Sequence, residues 1–226
     1  MYFHWSYIFV AIGGLLMAWA QSNVRGTYQR YANVQSSMGM TGAEVARTIL
    51  TKKGVDGVKV EPVPGQLTDH YDPSAKAVRL SEGIYNSSSL AAAAVAAHEC
   101  GHVLQDVEDY RFMNFRASMV PAANLGSNLG PALVIGGLIL SFSGLLYVGI
   151  ALFTAAILFH VVTLPVEFDA SSRALRLVDE LGILQGEENQ GARAVLNAAA
   201  WTYVATAAYA ALQLLQYIIM AQGRRN

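Results

Sequence analysis

Charged positions divide this chain into blocks. Residues 1 to 24, 117 to 166 and 194 to 223 contain no Asp, Glu, Lys or Arg, and a helix needs about 20 apolar residues to cross a bilayer core. The first and last blocks are each long enough for one span, and the middle block for two. The stretch from about Tyr2 to Ala20 reads as the first span, with Trp5, Tyr7 and Trp19 where an interfacial aromatic belt belongs. Stretches from about Ala122 to Phe142 and from about Leu145 to Val162 read as a pair joined at Ser141-Phe142-Ser143-Gly144. Such a membrane hairpin returns the chain to the side it left. The stretch from about Val195 to Met220 is either a fourth span or a partly buried helix carrying Trp201, Tyr203, Tyr209 and Tyr217.

Between the first two blocks the pattern is polar and mixed, as in a soluble domain. Thr41-Gly42-Ala43-Glu44 is a capping box that opens an amphipathic helix through about Lys53, ended by Gly54. Val58 to Glu61 reads as a short strand, and Pro62-Val63-Pro64-Gly65 as a turn. Leu67 to Tyr71 and Lys76 to Leu80, separated by Asp72-Pro73-Ser74, read as a hairpin. Its second strand is expected at a sheet edge, where an extended peptide can pair with it. The alanine-rich run Leu90 to Ala97, preceded by Ser87, Ser88 and Ser89 as candidate caps, predicts a helix that continues into His98-Glu99-Cys100-Gly101-His102.

Composition changes the picture in one respect. Charged residues make up 14% of the chain and apolar ones 54%, against about 25% charged in ordinary soluble domains, so a membrane protein is indicated. A net charge of -1 gives no basic surface for nucleic acid. A single cysteine excludes an intramolecular disulfide.

The chemistry sits at the end of the alanine-rich helix. Residues four apart share a helix face, so His98 and His102 can direct two imidazoles at one metal ion while Glu99 reaches a water beside it. This is H-E-x-x-H, the pattern of a zinc site that keeps one position open for water and places a carboxylate to move that water's proton. Gly101 allows another backbone to come close. Cys100 faces away from the histidines and reads as a small packed residue. A third ligand is sought downstream, where Pro165 is positioned to start a helix carrying Glu167 and Asp169. Both can simply complement a helix dipole. Glu167 is preferred as the ligand, because the hairpin brings this turn back to the motif's side of the membrane. His70 reads as holding its hairpin, with a ligand or donor role as the alternative. Asp106 is either a group orienting an imidazole or solvated. His160 is an ionisable group inside an uncharged block, a functional candidate or a neutral imidazole at the interface. Tyr203 and Tyr209 are read as packing, or as donors to an oxyanion.

The motif, together with Leu67-Thr68-Asp69-His70-Tyr71-Asp72-Pro73, Val78-Arg79-Leu80-Ser81 and Leu164-Pro165-Val166-Glu167-Phe168-Asp169-Ala170-Ser171, resembles the bacterial neutral zinc metallopeptidases of the YugP type. The resemblance runs nearly end to end. Those proteins are similar in plan to the HtpX and Ste24 membrane proteases, whose third ligand is a glutamate in an E-x-x-A-D segment. Glu167 and Ala170 match that segment, but Ser171 stands where it has Asp. This leaves open which group supports the histidines: Asp169, Asp106 or neither. The resemblance implies membrane proteolysis with no particular substrate.

The expectation is a mainly α integral membrane protein with about four transmembrane helices and a small α+β zincin-like catalytic domain, built from the H-E-x-x-H helix and a short antiparallel sheet. Its parts are an anchor (1–20), a catalytic domain (21–116), a transmembrane hairpin (117–164), a cytoplasmic helix with the third ligand (165–193), and a fourth membrane helix with a tail (194–226). The Ala18-Trp19-Ala20 sequence resembles a signal-peptidase site, but without a basic n-region it reads as part of an uncleaved anchor. Residues 21 to 116 hold ten Lys and Arg and residues 165 to 193 hold three, against Arg224 and Arg225 beyond the last span. The positive-inside rule therefore puts the catalytic face in the cytoplasm of a bacterial cell, on a multi-pass protein in the cell membrane. The expected activity is that of a zinc endopeptidase with one Zn2+ per chain, bound by His98, His102 and Glu167, with Glu99 as catalytic base. Peptides or membrane proteins are the expected substrates and the lipid bilayer the expected surroundings. The alternatives are a non-catalytic, zinc-stabilised scaffold or assembly factor, which has no need of Glu99, and a transporter, which the charge-free spans disfavour.

Overall fold

The protein is described by a computed structural model, which covers residues 4–223. The expected start of the first span at Tyr2, and the pair Arg224 and Arg225, lie outside the described residues. The elements in order are α1 (Tyr7–Ala32), α2 (Gly42–Lys52), β1 (Lys59–Val63), β2 (His70–Asp72), β3 (Ala77–Ser81), α3 (Glu82–Tyr85), α4 (Leu90–Val107), α5 (Arg111–Ile139), α6 (Ser143–Glu180) and α7 (Glu187–Gln222). The protein is mostly helical, and α1, α5, α6 and α7 are each long and apolar enough to cross a membrane.

By packing, the chain divides into two units. The first gathers the residues up to Gln21, Arg111–Pro165 and the chain from Trp201 onward, and the second gathers Ser22–Tyr110 and Val166–Ala200. Glycines set the geometry of the first unit. A Cβ on Gly126 would collide with the Leu152 carbonyl, one on Gly130 would lie 2.9 Å from Phe153 Cβ, and one on Gly149 2.6 Å from the Val134 amide nitrogen. The backbones of α5 and α6 thus touch through interlocking small residues, the arrangement that lets apolar helices associate where no water is present to drive them together. Val134, Leu146, Phe153 and Ile157 fill the space beside them along with Ala210 and Tyr217 of α7. On α1, Gly13 is covered by Tyr209, and Trp19 meets Trp201 edge to face.

The second unit is built around α4. Ser89 caps it by accepting from the Ala92 amide. Its residues Leu90–Ala94, Ala96, Ala97, Cys100 and Val103 are buried, because methyl-sized side chains let neighbouring elements pack against almost every face. One neighbour is α2, whose Thr41–Glu44 capping box is complete and whose Ala46 carbonyl accepts from Cys100 Sγ at 3.7 Å. Burial holds the Cys100 thiol well above its ordinary pKa, so it is a packed residue and not a nucleophile.

The sheet departs from the expectation of a short antiparallel one. Its order is β1-β3-β2, with β2 antiparallel to β3 and β1 parallel to it. After β1 the chain passes the position beside it and pairs first at the far edge, so β3 returns between its two predecessors. Lys76 to Leu80 is consequently not an edge, since β3 is paired on both sides. The free edge on the side of α4, which packs against β2 and β3, is β2. Pro62 and Val63, expected in a turn, extend β1, which tolerates a proline because it is itself an edge strand.

No helix begins at Pro165, which lies inside α6. The missing N–H would ordinarily interrupt or kink a helix there. Burial of Val166, Ala170, Ala174, Leu177 and Val178 along one stripe holds the segment helical.

Filling the α5–α6 contact should separate the two helices. Gly149→Val is expected to destabilise the protein by about 1–3 kcal/mol, seen as a lower unfolding midpoint in detergent, whereas Gly14→Ala, with open space around its Cβ, leaves the midpoint unchanged or raises it.

Candidate metal centre

Four ionisable side chains meet in the interior of the second unit. His98 and His102 stand one turn apart on α4, and their rings meet edge to face with centroids 4.7 Å apart. Glu167, only 3% exposed, reaches them from α6, with Oε2 at 3.3 Å from His98 Nε2 and 3.6 Å from His102 Nε2. One ligand atom from each of the three lies within 4.8 Å of the others, a cluster that can hold a metal ion. Glu99, also buried, follows His98 on the helix. Burial pushes its carboxyl above the ordinary carboxylate range, the nearby His98 and His102 oppose this, and Glu167 and Asp69 add to it.

The approach of the two helices is set at Gly101. A Cβ there would lie 2.5 Å from the Ala170 carbonyl oxygen, so only glycine lets α6 come close enough for Glu167 to reach both imidazoles. Glu167 and Ala170 are three apart and share a face, so the close contact and the carboxylate are delivered together.

The outer nitrogens of the histidines are also engaged. His98 Nδ1 lies 3.2 Å from Ser171 Oγ, and His102 Nδ1 lies 2.9 Å from Gln105 Oε1. The Gln105 amide nitrogen donates to the Val166 carbonyl and to Asp169 Oδ2. Asp169 also accepts from Arg173 Nε at 2.6 Å, and Arg173 reaches Glu108. Asp169 is therefore not beside the imidazoles but one residue removed from them. Ser171, at the position where the E-x-x-A-D pattern has Asp, supports His98 through a hydroxyl. Gln105 is absent from the candidates read from the sequence, although its spacing of three after His102 and seven after His98 places it on their face.

Other candidates lie elsewhere. Asp106 turns to the hairpin, accepting from Tyr71 Oη at 2.6 Å and pairing with Lys76. His70 is exposed and donates Nδ1–H to the Thr68 carbonyl, while Asp69 beside it accepts from the Ser81 amide at 2.7 Å, tying the hairpin together. Burial raises the Asp69 pKa, opposed by these Ser81 bonds. Tyr203, Tyr209 and His160 belong to the first unit, where Tyr209 covers Gly13.

A membrane-length helical frame and a buried cluster of two histidines and one glutamate define the class of protein in which a metal site is to be sought. The chain belongs to the family described as "Putative neutral zinc metallopeptidase", which matches residues 6–222. It is similar to "Putative membrane protease YugP" of Bacillus subtilis (strain 168), with 45% identity over 221 residues, 97% of this chain and 98% of that protein. No solved structure matches it.

Replacing Gly101 by alanine should drive α6 away from α4. The expected result is a stability loss of about 1–3 kcal/mol in chemical denaturation of the purified protein. An unchanged midpoint would show that the backbones are not held in contact there.

Proposed function

We propose that this protein is a zinc-dependent integral-membrane endopeptidase whose site is zincin-like, with one zinc ion per chain bound by His98 Nε2, His102 Nε2 and Glu167. The observation that carries this reading is the spacing of the donors. Ligand atoms about 2.0–2.1 Å from a tetrahedral zinc stand about 3.3 Å apart, and Glu167 Oε2 lies 3.3 and 3.6 Å from the two imidazole nitrogens. Two neutral nitrogens and one carboxylate form the donor set of catalytic zinc, leaving a fourth position open.

When bound, zinc supplies a Lewis acid and lowers the pKa of a water to about 7. Glu99 takes the proton of the attacking water and later delivers it to the departing amine, and a carboxyl raised by burial is suited to both directions. Bulk water is kept back by burial of the ligands' own surroundings, where Val103 beside His102 and Val166 beside Glu167 are fully buried. An extended substrate pairs along the outer edge of β2, the free sheet edge on the side of α4. In this reading α1, α5, α6 and α7 are four spans of a multi-pass membrane protein of a bacterial cell, and the distribution of Lys and Arg supports a cytoplasmic position for this face. Peptides or membrane proteins at the bilayer surface are then the substrates.

Purified protein in detergent should contain zinc and cleave casein or a peptide. Glu99→Gln should keep the zinc and lose cleavage by a factor of about 100 or more, while Glu167→Ala should lose zinc measured by elemental analysis. Wild-type protein that holds zinc and cleaves nothing would overturn the peptidase reading in favour of a scaffold.

A further inference from the structure

The orientation of the Gln105 amide is decided by its neighbours. Its nitrogen lies 2.8 Å from the Val166 carbonyl oxygen and 2.9 Å from Asp169 Oδ2, and a carbonyl and a carboxylate only accept. The amide oxygen therefore faces His102 Nδ1, at 2.9 Å, and an amide oxygen only accepts as well. The proton of a neutral His102 must then sit on Nδ1. Its lone pair is left on Nε2, the atom directed at Glu167. His98 has no such constraint, because the Ser171 hydroxyl beside its Nδ1 can donate or accept.

We propose that Gln105 is a positioning residue that sets the tautomer of His102 for metal ligation and at the same time latches the segment carrying Glu167 onto α4. The inference rests on the zinc-site reading above and adds to it a single buried amide governing two ligands from different parts of the chain. Gln105 is fully buried, so no water replaces a bond it fails to make. Val166 immediately precedes Glu167, so the Gln105 bond to its carbonyl sets the helix phase at which the carboxylate emerges. Asp169 is held in turn by Arg173, whose Nε lies 2.6 Å from the same Oδ2 that accepts from the amide. No apolar residue of the same size can do either task. A glutamate keeps the acceptor for His102 but sets an acceptor against Val166 and a like charge against Asp169.

The experiment measures zinc affinity of the purified full chain by competition with a chromogenic chelator. It compares wild type, Gln105→Leu, Gln105→Glu, and Gln105→Glu combined with Asp169→Asn. Both single variants should weaken zinc binding about 10–100-fold, the usual effect of losing a group that orients a metal-ligating histidine. The double variant restores a donor across the pair, now running from residue 169 to residue 105, and should recover about tenfold over Gln105→Glu. Thermal unfolding of the metal-free proteins checks that each is folded, and if Gln105→Leu is not, the comparison of the two glutamate variants decides. Wild-type affinity in a single variant, or no recovery in the double, overturns the role of Gln105 while leaving the zinc site intact. Wild-type protein that takes up no zinc overturns the zinc site and this inference together.

Discussion

Keeping ionisable groups in a dry interior is the constraint on which the rest of the second unit depends. His98, Glu99, His102 and Glu167 occupy a core made largely of alanine, valine and leucine. An unpaired charge there would cost several kcal/mol, so these groups must compensate one another, share hydrogen bonds, or bind a cation. The arrangement uses all the available partners. Each histidine has one nitrogen toward Glu167 and the other toward a neutral side chain, Ser171 or Gln105. Asp169, which reaches the cluster through Gln105, is itself paired with Arg173.

Small residues make such a core possible. The alanine tract of α4 lets α2, the sheet and α6 approach, and Gly101 brings the α6 backbone into contact at the height of the histidines. Interiors are close-packed, so the absence of a single methyl group at Gly101 governs how near the α6 backbone, and Glu167 with it, can come. The first unit relies on the same device for a different end. Its glycines on α5 and α6 gain packing between surfaces that are apolar on all sides, where dispersion and close fit are the available attractions.

The neutral character of the groups beside the histidines has a chemical consequence. A carboxylate at Nδ1 would add negative charge to a cluster that already holds Glu99 and Glu167. A hydroxyl and an amide hold the rings in place without doing so, and the carboxylate of Asp169 acts only through Gln105. Ser171, which departs from the pattern of similar proteases, fits this plan.

Much of the chain was legible from local pattern. Three charge-free blocks correspond to four membrane-length helices, the Thr41–Glu44 box caps the start of α2, and two histidines four apart share a face. These follow from helix periodicity and capping, which depend on neighbours in sequence. What local pattern did not reveal depended on partners distant along the chain. Pro165 reads as a helix start, yet a stripe of buried side chains keeps α6 continuous. The strand 77–81 lies at the centre of its sheet because β1 pairs with it, and no local feature encodes that partner. Gln105 is an ordinary polar residue in the sequence; its contact with His102 lies within one helix, but the two bonds that orient its amide exist only once Val166 and Asp169 have been brought beside it. The sequence by itself determined which segments are helical and which residue types can bind metal, because spacing and side-chain chemistry are local. Tertiary structure alone decided that Ser171 steadies His98, how the Gln105 amide is turned, and how closely Glu167 approaches, because each depends on contacts between residues more than sixty positions apart in the chain.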